Sequence, residues 1–154
     1  MKLNQIEKLI GSGLYTGFIP KASGTFASAL ALLIFLIPGF ENPTFLMFVI
    51  SVSIVFGVQI AKKFEAVFGK DPSQFTLDEF IGTWMTLLFI PKKIWFLLPA
   101  FVLWRIIDIY KPFPAKQLES AKGGWGVVLD DVVSGFYSFV IVQLTIHLIN
   151  MLTL

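Results

Sequence analysis

Two adjacent carboxylates, Asp130-Asp131, follow the glycine-rich run Lys122-Gly123-Gly124-Trp125-Gly126 and open a long apolar stretch. Adjacent carboxylates repel each other in a low dielectric, so an unbalanced pair at a membrane surface points to a divalent cation. The glycines let backbone approach a ligand closely. Upstream, Arg105, Asp108 and Lys111 are spaced i, i+3, i+6 and share one face of a helix. A purely structural Arg105–Asp108 pair accounts for those two residues and leaves Asp130 and Asp131 unexplained. Asp78-Glu79, in the string TLDEFIG, suit the first turn of a helix capped by Thr76. They also precede a short apolar segment, where carboxylates at headgroup level are costly unless a cation compensates them. Nearer the N-terminus, Gly11-Ser12-Gly13 and Pro20-Lys21-Ala22-Ser23-Gly24-Thr25 lead into an apolar helix. Backbone N–H groups at such an entry favour a phosphate, and Lys21 adds a full positive charge. The plainer alternative is a helix capped by Ser23 or Thr25 with a snorkelling Lys21.

Taken together, Asp78, Glu79, Asp108, Asp130 and Asp131 are the candidate catalytic and metal-ligating residues. Lys21, Ser23, Thr25, Arg105, Lys111 and Lys122 are the candidate phosphate ligands. The chain has no Cys, and its single His, His147, falls near the opposite membrane face. An oxygen-only donor set favours Mg²⁺ over zinc. The chemistry implied is metal-assisted phosphoryl transfer or hydrolysis on a lipid-linked substrate.

The elements that must position these groups are apolar. Of 154 residues, 56% are hydrophobic and only 14% charged, against about 25% charged in a soluble domain, and the mean hydropathy is +0.80. Disorder, a disulfide scaffold and thiol chemistry are excluded, and a net charge of +2 is too weak and dispersed for a nucleic-acid binder. The first 20 residues hold no continuous apolar core, so no cleavable signal peptide is expected. Charge-free intervals run over 22–40, 42–61 and 132–154, each about long enough to cross a hydrocarbon core. Two shorter intervals, 80–91 and 94–104, make a helical hairpin if they extend through their flanking ionisable residues. The expected fold is all-α: a polytopic membrane bundle of about five helices in one domain, 1–154. Residues 1–21 form an amphipathic N-terminal segment and phosphate loop, and 22–154 the bundle. Nine Lys lie in connections on one side, against Lys92 and Lys93 on the other. The majority marks the cytoplasmic face, where all the candidate carboxylates also fall.

The strings GSGL…PKASGT, LDEFIGTW, WRIIDIYKPFP and KGGWGVVLDDVVSG resemble, in order and spacing, the phosphatidylglycerophosphatase A family, from about Gly11 to Ser138. The resemblance implies a Mg²⁺-dependent phosphatase of the inner (cytoplasmic) membrane. Its substrate would be phosphatidylglycerophosphate, converted to phosphatidylglycerol and phosphate, with no nucleic-acid partner. It carries site roles to Thr25, Asp78, Glu79, Arg105, Asp108, Lys111, Asp130 and Asp131. Ser23 stands where the family commonly has Pro, and Lys122 where some relatives have His. Two rivals remain: a metal-dependent lipid phosphotransferase, which needs a second substrate, and an ion-coupled transporter, which needs carboxylates at mid-bilayer.

Overall fold

A computed structural model describes residues 2–152. Among these residues the chain is wholly helical, with α1 (Gln5–Gly11), α2 (Ser23–Phe35), α3 (Pro43–Phe68), α4 (Leu77–Thr86), α5 (Ile94–Tyr110), α6 (Ala115–Leu118) and α7 (Trp125–Leu152). A short 3₁₀ turn, Thr16–Phe18, links α1 to α2.

The shortest of the five apolar bundle helices is the hub. α4 is ten residues long, and eight of them are buried. It packs against α2, α3, α5 and α7. Its closest approach is to α7: a Cβ built on Gly135 would stand 2.9 Å from both the Cα and the carbonyl oxygen of Gly82. On its other side Gly82 makes room for the Trp104 ring, which is fully buried. Glycine is used at this crossing for closeness, as in tightly packed membrane helices. Trp84 adds a directional tie, donating from Nε1 to the Ala31 carbonyl of α2 at 3.0 Å.

Helix lengths differ from the charge-free intervals. α2 has 13 residues, about 20 Å, and stops before Pro38-Gly39, where Gly39 has a φ of +89°. Lys92 holds that end: its ammonium donates to the Ile37 carbonyl at 2.8 Å, pairs with Glu41 at 2.6 Å and lies over the Phe35 ring. α4, at about 15 Å, is also too short to span, while α5 with 17 residues reaches about 26 Å. Two helices are long and apolar enough to cross a membrane, α3 with 26 residues and α7 with 28. α7 starts at Trp125, seven residues before the expected Val132, so Asp130 and Asp131 sit inside the helix rather than at its opening. The last two residues of that expected span, Thr153 and Leu154, lie outside the described residues.

Much of the apolar surface faces outward. Phe48 and Phe56 on α3 are exposed, as are Leu144 and Leu148 on α7. Contiguous apolar surface of this kind needs a partner or a lipid phase. α1 is capped by a reciprocal Asn4–Glu7 box and leaves Ile6 and Ile10 exposed.

Candidate active site

Four helices bring their polar residues to one cavity of about 240 Å³. α4 supplies Asp78 and Glu79, α5 supplies Asp108, and α7 supplies Asp130 and Asp131. Lys111 follows α5 in the left-handed conformation (φ +46°), and Ser23 and Gly24 come from the first turn of α2. Asp78, Asp108, Asp130 and Asp131 are all buried.

A second layer fixes the acids. Arg105 pairs with Glu79 and, at 3.1 Å, with Asp108. Ser28 joins this pair to the core: its hydroxyl donates to Glu79 Oε2 at 3.0 Å and accepts from Trp104 Nε1 and Arg105 Nη1, each at 3.2 Å. Gly24 presses on the same carboxylate so closely that any Cβ would collide with Glu79 Oε1. Lys111 donates to Asp130 Oδ2 at 2.6 Å and pairs with Glu119 at 3.3 Å. Burial works against its charge, but the hydrogen bond to Asp130 and the nearby carboxylates win, so its ammonium is held above the ordinary lysine range. Lys111 is therefore a fixed positive charge on the cavity wall.

The acids outnumber their cations. Six carboxylates, the five candidates and Asp71, face Arg105 and Lys111, an excess of four negative charges when all are ionised. Asp130 Oδ1 is buried with no hydrogen-bond partner among the described residues. Glu79, Asp108 and Asp131 each offer an oxygen, and these three atoms lie within 4.8 Å of one another. An orphaned buried acceptor beside three converging carboxylates is what a small, hard cation would complete. The residues present fit a divalent metal.

Not every candidate reaches this cavity. Lys21 and Thr25 are exposed and do not line it. Neither Ser23 nor Thr25 caps α2: the N-cap position is Ala22, in the left-handed region, with no side-chain cap, and the Ser23 hydroxyl donates to the Ser73 carbonyl at 3.2 Å. Thr76 does stand at the N-cap of α4, but its hydroxyl pairs with Thr16 instead, at 3.1 Å. Lys122 lines a separate hollow of about 330 Å³ with Glu65, Lys70 and Ser120. The reason is local: Gly124, at φ +82°, lies against the α3 backbone and donates its N–H to Glu65 at 3.0 Å, turning the loop away from the acids.

Ser28, Asp71 and Glu119 belong to the site or its support and were not picked out from sequence. Ser28 had a signal, being the single polar residue between Thr25 and Pro38. Asp71 and Glu119 had none, because each lies in a charged connection among other surface charges.

A helical frame that gathers carboxylates, a guanidinium and an ammonium at one cavity defines an enzyme class, the phosphoric monoester hydrolases, once its relatives are considered. The family model described as "Phosphatidylglycerophosphatase A" matches residues 9–146. The chain belongs to the phosphatidylglycerophosphatase A family. It is 30% identical over 141 residues to the Escherichia coli protein of that name, covering 90% of this chain and 82% of the relative. To the Haemophilus influenzae protein of the same name it is 32% identical over 145 residues, covering 91% and 88%. A Bacteroides thetaiotaomicron protein named "Putative phosphatidylinositol-3-phosphatase" is 39% identical over 142 residues, covering 87% and 89%. No solved structure matches the chain.

Proposed function

We propose that this chain is a Mg²⁺-dependent lipid phosphatase that removes the terminal phosphate of phosphatidylglycerophosphate at the cytoplasmic face of the inner membrane. One observation carries the reading: six carboxylates and Lys111 share a cavity at the uncapped N-terminus of α2. A helix N-terminus and an ammonium receive a phosphate dianion, while clustered carboxylates call for a metal. The family membership supports the substrate. The outward apolar surface of α3 and α7 supports a membrane setting, with α2, α4 and α5 inserted beside them to make five membrane helices.

In this reading Glu79, Asp108 and Asp131 hold the metal, with Asp130 Oδ1 next to them. Bound Mg²⁺ would polarise the phosphoryl oxygens and acidify a water. Lys111 and the α2 N-terminus orient the phosphate, whereas Lys21, Thr25 and Lys122 act at most on the approaching headgroup. Arg105 keeps Glu79 and Asp108 in position. Asp78 has no ion pair among the described residues and lies outside the converging triad, and its Oδ1 accepts from the Glu79 N–H at 2.9 Å. It is suited to take the proton of the attacking water. The bond from phosphorus to the glycerol oxygen breaks, the water oxygen joins phosphorus, and the departing glycerol oxygen gains a proton.

The relative named for phosphatidylinositol-3-phosphate favours a second reading in which the headgroup is an inositol phosphate. The test uses purified protein in detergent with phosphatidylglycerophosphate and phosphatidylinositol-3-phosphate in parallel, with Mg²⁺ and then with chelator. Phosphate release from the first lipid, abolished by chelator and restored by Mg²⁺, is expected. Preferred release from the inositol lipid would move the assignment to the second reading. Release from neither would refute both.

A further inference from the structure

A second hollow, of about 460 Å³, lies between the end of α5 and the middle of α7. Ile107, Tyr110 and Pro112 form one wall and Tyr137, Val140 and Ile141 the other. Its lining is apolar, and the Tyr137 hydroxyl is turned out of it to donate to the Phe113 carbonyl at 3.0 Å. The hollow shares its frame with the acid cavity. On α5, Asp108 lines the acid cavity and its neighbour Ile107 lines the hollow. Beyond α5, Lys111 lines the first and Pro112 the second. Residues adjacent in the chain, with Cα atoms about 3.8 Å apart, thus line the two spaces, one on each side of the end of α5. On α7 the hollow continues away from the acids: Val140 is nine residues beyond Asp131, about 14 Å along the helix.

A polar cavity and an apolar groove set on neighbouring residues of one helix end suit an amphiphile with a phosphate at one end and a hydrocarbon tail at the other. We infer that the α5–α7 groove holds one acyl chain of the lipid whose phosphate occupies the acid cavity. This rests on the lipid-phosphatase reading and adds where the tail lies. Groove and bilayer are equally apolar, so the chain gains little by transfer and the groove acts by fit and alignment. Filling the groove should therefore weaken recognition of long-chain substrate while the chemical step is spared.

The experiment compares Val140→Trp and Ile107→Trp with Phe48→Trp, a change on the outward face of α3. Each is assayed with dioleoyl phosphatidylglycerophosphate and with the dihexanoyl lipid below its micelle concentration. The groove variants should raise KM for the dioleoyl lipid about five- to tenfold. The kcat for either lipid, KM for the dihexanoyl lipid and both constants of Phe48→Trp should stay within about twofold of the parent. An unchanged dioleoyl KM, or equal losses on both lipids in folded protein, would overturn the groove. A second arm needs no turnover: a phosphatidylglycerophosphate carrying a diazirine on its acyl chain is photolysed with the parent protein and the adducts are mapped. Adducts concentrated on 107–112 and 136–141, and suppressed by excess dihexanoyl lipid, are expected. Adducts spread evenly over α3 and α7 would show ordinary surrounding lipid and refute the groove, whatever substrate the enzyme prefers.

Discussion

Gly135 of α7 rests directly on Gly82 of α4, with no room for a methyl group between the two backbones. The contact lies one turn below Asp78-Glu79 on α4 and one turn below Asp130-Asp131 on α7. It therefore sets the separation of the two acidic pairs.

Gly135→Leu should push α7 off α4 and spread the carboxylates. Overpacking of this kind costs about 1–3 kcal/mol, so a lower thermal midpoint in detergent is expected, together with an activity loss of about tenfold or more. A variant that melts and turns over like the parent would show that the crossing does not govern the site.

Asp131→Asn and Asp130→Asn should each give folded protein with phosphate release reduced at least about a hundredfold, as losses of metal ligands typically do. The first removes one of three converging oxygens, the second the partner of Lys111. Circular dichroism and turnover at saturating Mg²⁺ check this, and near-normal turnover in both variants would remove the metal role.

Arg105→Lys should be nearly as damaging as Arg105→Ala. The guanidinium reaches Glu79, Asp108 and Ser28 together, and a point charge cannot reproduce that fork. Most activity surviving in the Lys variant would reduce Arg105 to a source of general positive potential.

Ser28→Ala should be destabilising. It strips Trp104 Nε1, on a fully buried side chain, of its partner, at a cost of about 1–3 kcal/mol for a buried unsatisfied donor. Thermal unfolding in detergent measures it. An unchanged midpoint would mean that the hydroxyl contributes no net stability.

His147→Gln should keep parental activity and the parental pH–rate profile. His147 is exposed on α7, 16 residues beyond Asp131, about 24 Å along the helix. A loss comparable to that of Asp131→Asn would place His147 in the chemistry and contradict the straight course of α7.

What could be read from the sequence was whatever depends on charge and composition. An apolar chain with acids confined to a few short strings had to be helical, and those strings lie where helices approach one another. Helix ends were harder. A charge-free interval measures compatibility with lipid, while Pro38-Gly39 and the Trp125 start are set by backbone geometry that charge does not report. The placement of Lys122 outside the acid cavity was not legible for another reason: it depends on Glu65, 57 residues before Lys122, binding the Gly124 N–H. Ser28 was legible in principle, since a lone hydroxyl in an apolar run asks for a partner.

The Lys92 clamp has a bearing on the order of assembly. The carbonyl it reaches, at Ile37, which also accepts from the Phe40 N–H at 3.1 Å, was synthesised 55 residues before it. At about 5–20 residues per second, translation leaves that end of α2 without its ammonium for about 3–11 s. During this interval the end of α2 has its local turn, with the Phe40 N–H on the Ile37 carbonyl, but not the ammonium. The tie from Lys92 therefore forms only after the turn that follows α4 has been made, late for a helix that is made early.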